Sequence, residues 1–142
     1  DEAGLAPLHG AVFSRSVDCV RILVEMRAPV DVVEANGASP LQIAAAVGAD
    51  IIELHTGRYC HDESGRAAEL ARIRKAAELV DSLGVECHGG HGLDFDTVGA
   101  IAAIPQMHEL NIGHFLMGEA MFSGMDKAIA EMRRLMNEAR PA

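Results

Sequence analysis

Residues 85–114 read VECHGGHGLDFDTVGAIAAIPQMHELNIGH, and this stretch decides the fold. A short apolar run around Val85 and Cys87 gives way to a loop of glycines and histidines that ends at Leu93. Asp94 or Asp96 can then cap a helix carrying Val98, Ile101 and Ala102, which Pro105 ends. A further strand, ELNI, follows, and Gly113-His114 opens a turn. Short strands alternating with helices are the grammar of βα units around a parallel sheet.

The same grammar extends to both sides. Upstream, DIIELHTG at residues 50–57 is a β-branched run ending in His55-Thr56-Gly57, followed by a polar loop, RYCHDESG. Leu70, Ile73, Ala77 and Val80 then share one helical face, and Gly84 is placed to stop that helix. Downstream, a helix from about Met125 to Glu138 is predicted to bury Ile129, Met132 and Met136 and to turn its arginines outward. Methionines at helical spacing read as core filler.

All three predicted strands end alike: His55-Thr56-Gly57, then His88 to Gly92, then Gly113-His114. In parallel α/β folds the carboxyl ends of strands face the ligand, and barrel loops there commonly hold a phosphate. Glycines let the backbone approach a ligand closely, and a histidine titrating near neutral pH can give or take a proton. His88 reads as a surface histidine or a local perturbation of the site. Glu53 reads as a hydrogen-bonding group inside the sheet layer or as a catalytic carboxylate, and His108 as a helix-terminal or loop residue.

Composition narrows the partners. The chain has 142 residues, 49% of them apolar, enough for a real core. Twenty-one acidic against twelve basic residues give a net charge of −9, which repels nucleic acid but leaves a small phosphorylated ligand open, since local amides and a helix terminus can bind one. Cys19, Cys60 and Cys87 are odd in number and irregularly spaced. With no signal-peptide pattern and no apolar run near the roughly 18 residues a membrane span needs, a cytoplasmic protein is expected. The chain opens at Asp1 without a methionine, which leaves room for an upstream segment. His55, Cys60, His61, Cys87, His88 and His91 supply zinc-type donors, yet their spacing fits no recurrent zinc pattern, and no metal or organic cofactor is expected.

The first third differs. GLAPLHGAV from Gly4 and GASPLQIAA from Gly37 align glycine, proline, leucine and alanine 33 residues apart, with His9 replaced by Gln42 in the second copy. Between them a helix is predicted with Val20, Leu23 and Val24 on one face. This period resembles the ankyrin repeat, so residues 1–48 are expected to be an all-α, ankyrin-like segment able to dock a protein partner.

A second resemblance covers residues 46–142. IIELHTG, GHGLDFDTVGAIAAIPQMHELNIGH and AIAEMRRLMNEAR are similar to the carboxyl-terminal part of the pyridoxine 5′-phosphate synthase family of vitamin B6 synthesis. The resemblance implies a (β/α) barrel enzyme that condenses 1-deoxyxylulose 5-phosphate with 3-amino-2-oxopropyl phosphate. It implies His91 as proton donor and Gly92, Gly113 and His114 as contacts to the amino-ketone phosphate, with His55 and Thr56 on the ligand rim. The family's earlier βα units, with their proton acceptors, have no counterpart in this reading. Residues 49–142 are therefore expected to form a partial TIM-barrel-like unit with three parallel strands, completed by a homo-oligomer or a partner chain and inactive in isolation. An interaction module and a non-functional fusion fragment stand as alternatives.

Overall fold

The structure, a computed structural model, describes residues 39–140. The elements run α1 (Pro40–Ala46), β1 (Ile51–His55), α2 (Gly57–His61), α3 (Arg66–Ser82), β2 (Glu86–Gly90), α4 (Val98–Ala102), β3 (Met107–Asn111), α5 (His114–Ser123) and α6 (Met125–Ala139). The strands form one parallel sheet in the order β1-β2-β3.

The sheet alternates as a pleated strand must. Ile52 and Leu54 of β1, Cys87 of β2 and Met107 of β3 join Ile73, Ala77 and Val80 of α3 and Ile101 of α4 in one apolar core. The opposite face carries Glu53, His88 and Glu109 side by side in register, and beyond them His55, Gly90 and Asn111. A bulge between Cys87 and His88 skips His108, which lies in β3 and is exposed, not at a helix end. His88 is buried on the polar face, where Nε2 meets Glu86 Oε1 at 2.8 Å and Nδ1 lies 3.9 Å from Glu109 Oε1.

The α3 helix forms as its apolar spacing predicts, and Gly84, at φ +71°, ends it in the left-handed conformation that glycine adopts freely. Asp94, not Asp96, organises the start of α4: its Oδ1 accepts the Asp96 and Thr97 amides and the Thr97 hydroxyl, and its carbonyl accepts the Val98 amide.

Three expectations need correction. Residues 58–65 contain the single turn α2, whose last carbonyls, Tyr59 O and Cys60 O, are both taken by the Arg66 guanidinium. The segment after Gly113 is not a turn but the ten-residue α5, because Gly118 sits among Leu116, Met117, Glu119, Ala120 and Met121, whose helix propensity carries it through. Ile129 is 41% exposed: α6 packs on α4 and α5 through Ala128 and Met132, and the next position has turned about 100° away.

The second copy of the 33-residue echo is the start of α1. Ser39 caps it, Pro40 takes the first helical position, and Gln42 closes a capping box by accepting the Ser39 amide at 2.8 Å. In this second copy Ser-Pro-Leu is thus helix-start chemistry. The first copy with His9, the predicted helix with Val20, Leu23 and Val24, and most of the ankyrin-like segment lie outside the described residues. Among the described residues no helix is long and apolar enough to cross a membrane.

Ile101, 0% exposed between sheet and helices, and the half-open Ile129 set the expected contrast in stability. Ile101→Ala should cost about 2–5 kcal/mol by denaturant unfolding, and Ile129→Ala less than about 1 kcal/mol.

Candidate active site

The carboxyl ends of β1 and β2 are sewn together by Thr56. Its amide donates to Gly90 O at 2.7 Å and its hydroxyl to His91 O at 2.6 Å, with Gly90 O also within 2.8 Å of the hydroxyl. A hydroxyl has one proton to give, and since Gly90 O already has an amide donor, the shorter bond to His91 is the one it serves. Cys60 Sγ lies 3.7 Å from the same His91 carbonyl. Thr56 is 0% exposed, so it holds the loop from below.

What it holds is a strained residue. His91 has φ +79°, the one non-glycine residue among the described ones in the left-handed region, and Gly92 follows at +78°. A side chain pays roughly 1–2 kcal/mol to sit there, and such residues persist only where neighbours over-determine them. The conformation turns the His91 ring onto His55, with centroids 4.4 Å apart and planes 24° from parallel, while His61 meets His91 edge-on at 6.4 Å.

Two glycines make room for these rings. A Cβ on Gly57 would stand 2.6 Å from His55 Cε1 and 2.9 Å from His91 Cδ2. One on Gly92 would stand 2.9 Å from His61 Nε2. On the open face of the sheet a third glycine acts in the same way: Asn111 Nδ2 donates to Glu53 Oε2 at 2.6 Å across Gly90, whose Cβ would lie 2.7 Å from Glu53 Oε1. Glu53 therefore makes the hydrogen bond within the sheet layer that its sequence context suggested.

The electrostatics separate proton-transfer groups from inert ones. Burial, and then the neighbouring His91, push His55 below the ordinary histidine value, with Arg72 and His61 adding to the effect and Glu53 opposing it. The Gly57 amide donates to His55 Nδ1 at 3.3 Å, so the neutral ring carries its proton on Nε2. Burial raises the Cys60 thiol and pushes Cys87 up to about 11, leaving both as thiols at neutral pH. Cys87 also lies on the helix-covered side of the sheet, away from the histidines.

His55, Thr56, His91 and Gly92 thus come together, with Gly57 and His61 as members that sequence reading left off the site. Gly57 was legible as the residue directly after His55-Thr56. The role of His61 was not, because its approach depends on α2 forming. Gly113 and His114 are exposed at the start of α5, beyond the carboxyl end of β3. Among the described residues no hydrogen bond or ring contact ties them to the histidine pair; Phe95, in the loop after β2, meets Phe115 of α5 edge to face at 4.8 Å.

A parallel sheet whose strands alternate with helices and whose histidines and glycines gather at strand carboxyl ends defines a protein built of βα units. The chain belongs to the family described as pyridoxal phosphate biosynthesis protein PdxJ, which matches residues 13–138. It is similar to a pyridoxine 5′-phosphate synthase of Roseobacter denitrificans, 56% identical over 110 residues that make up 72% of this chain and 44% of that protein. The proteins of the same name from Ruegeria pomeroyi and Rhodospirillum rubrum are 49% and 46% identical, over 83% and 97% of this chain and 50% and 55% of their own lengths. The chain spans about half the length of the curated relatives it matches. The family match begins at residue 13 and so is not confined to residues 46–142; nothing in these comparisons supports an ankyrin-like segment.

Because the fold lowers the proton affinity of His55, the unfolded chain binds that proton more readily. Its contribution to stability should be complete above about pH 6.5 and fall away as the pH drops from there through the lower folded value. Urea midpoints measured between neutral and mildly acidic pH should show that decline, and His55→Gln should flatten it.

Proposed function

We propose that this chain carries the amino-ketone-phosphate part of a pyridoxine 5′-phosphate synthase site, with residues 49–142 as a (β/α)3 portion of a TIM barrel. In this reading 3-amino-2-oxopropyl phosphate lies along the carboxyl ends of β2 and β3. Its phosphate meets the Gly92 amide and the start of α5 at Gly113 and His114, where the first-turn amides of a helix have no internal partners and its dipole favours an anion. His91 is the catalytic proton donor, giving its proton to departing water or phosphate as the pyridine ring closes with 1-deoxyxylulose 5-phosphate. His55 lines the rim, and Thr56 acts from below through the carbonyl it fixes.

The observation that carries this reading is His91 itself: a histidine kept at φ +79° by a buried threonine, with its ring turned to the exposed strand end. Backbone strain held this firmly is characteristic of sites where geometry serves chemistry. The reaction as written calls for no metal or organic cofactor. The sheet edges at β1 and β3 need further strands to close a barrel, supplied by more of the same protein, a second copy or a partner chain, in the cytoplasm where the substrates would be made.

The test is a titration of the labelled chain with 3-amino-2-oxopropyl phosphate, followed at the backbone amides. Saturable shifts at Gly92, Gly113 and His114 are expected, weakened by inorganic phosphate as competitor. A ligand that moves none of the three overturns the proposal.

A further inference from the structure

The stacked histidines permit one step beyond this. We propose that His55 is the positioning residue for His91: stacked against it and locked in one tautomer, it holds the His91 ring at the strand end, and the two rings oppose a positive charge on both at once. The inference deepens the reading above and rests on it for the use to which the proton is put.

The geometry is built for a pair. The two rings lie 4.4 Å apart and nearly parallel, and the space for them exists because residue 57 has no side chain. The Gly57 amide occupies His55 Nδ1, which stops that ring from turning over. His61 also meets His91, edge-on with centroids 6.4 Å apart. A ring stacked on a fixed neighbour loses little freedom on meeting a substrate, which is what a donor aimed at one leaving group requires.

That opposition follows from charge. Two imidazolium rings at this separation repel, so the second proton is bound less readily than the first, and the pair titrates as a unit. The groups facing His55 are Glu53 from its own strand, His61 from α2, Arg72 from α3 and His91 from the loop after β2. Three of the four are cationic when charged and oppose a proton on His55; Glu53 alone favours it, and Glu53 is engaged by Asn111. A proton is accordingly disfavoured on His55, whose neutral ring carries its hydrogen on Nε2.

Ring-resolved NMR titration of the full chain without ligand tests this, on the natural sequence, His55→Phe and His55→Gln. In the natural protein the His91 ring resonances should show two inflections, the second coinciding with the titration of His55. His55→Phe should keep the ring-current shift of a stacked neighbour and lose the second inflection; His55→Gln should lose both. A single inflection at His91 in the natural protein overturns the proposal without any variant, and a two-step curve that survives in His55→Phe overturns it as well. Adding 3-amino-2-oxopropyl phosphate to the same samples separates the two readings. Coupled rings with no amide shifts at Gly92 and Gly113 would leave the pair standing and remove the substrate assignment, and shifts with uncoupled rings would do the reverse.

Discussion

The bonds that Thr56 makes to Gly90 and His91 are the constraint on which the described structure turns. β1 and β2 are parallel, so their ends are not joined by a tight turn, and nothing in the ladder itself determines where the chain goes after Gly90. Thr56 extends the ladder by one residue through its amide and then, through its hydroxyl, takes hold of the first carbonyl beyond it. That carbonyl belongs to the residue with the least favourable backbone in the described chain. Removing this donor leaves the carbonyl only the weak Cys60 thiol, at a cost of up to about 1–3 kcal/mol, comparable with the strain it offsets.

From that junction the rest follows in layers. Below it, Ile52, Leu54, Cys87 and Met107 bind the sheet to α3 and α4, and Tyr59, Cys60 and Leu93 extend the same core under the loop. The loop is fastened a second time by Asp94 and Thr97, whose carbonyl accepts the Tyr59 hydroxyl at 2.9 Å. Above it, glycines at 57, 90 and 92 remove side chains where three histidines and the Glu53–Asn111 bond need the space. A rigid apolar base and a polar rim with missing side chains are two aspects of one arrangement. The base supplies the stability that the strained rim gives up.

Much of this was legible from residue spacing. Strands at IIELH, at the CHGG run and near HELN, helices where Ile73, Ala77 and Val80 recur or where Met132 is buried, and the concentration of histidine and glycine at strand ends all emerge from periodicity and turn chemistry. What was not legible depended on tertiary contact. α2 exists because Arg66, from the next helix, closes its last carbonyls. The pairing of His55 with His91 depends on a positive φ at a histidine, which no propensity would assign. Exposure of Ile129 reflects which neighbours α6 has, and helical phase alone cannot name them. The ankyrin-like reading rests on four matched residues at one spacing, of which the second set is the start of α1, and the family match, from residue 13, takes in the segment between the two copies and the second copy itself.

The central claim is that the Thr56 hydroxyl holds His91 in its left-handed conformation and thereby its ring on His55. Thr56→Val, nearly the same in shape but lacking the donor, isolates that bond, and ring-to-ring nuclear Overhauser contacts between His55 and His91 report its consequence. The account predicts that the variant keeps its sheet and core resonances while those contacts vanish and the His91 backbone shifts move toward ordinary extended or helical values. Undiminished contacts between the two rings in a folded Thr56→Val chain would contradict it.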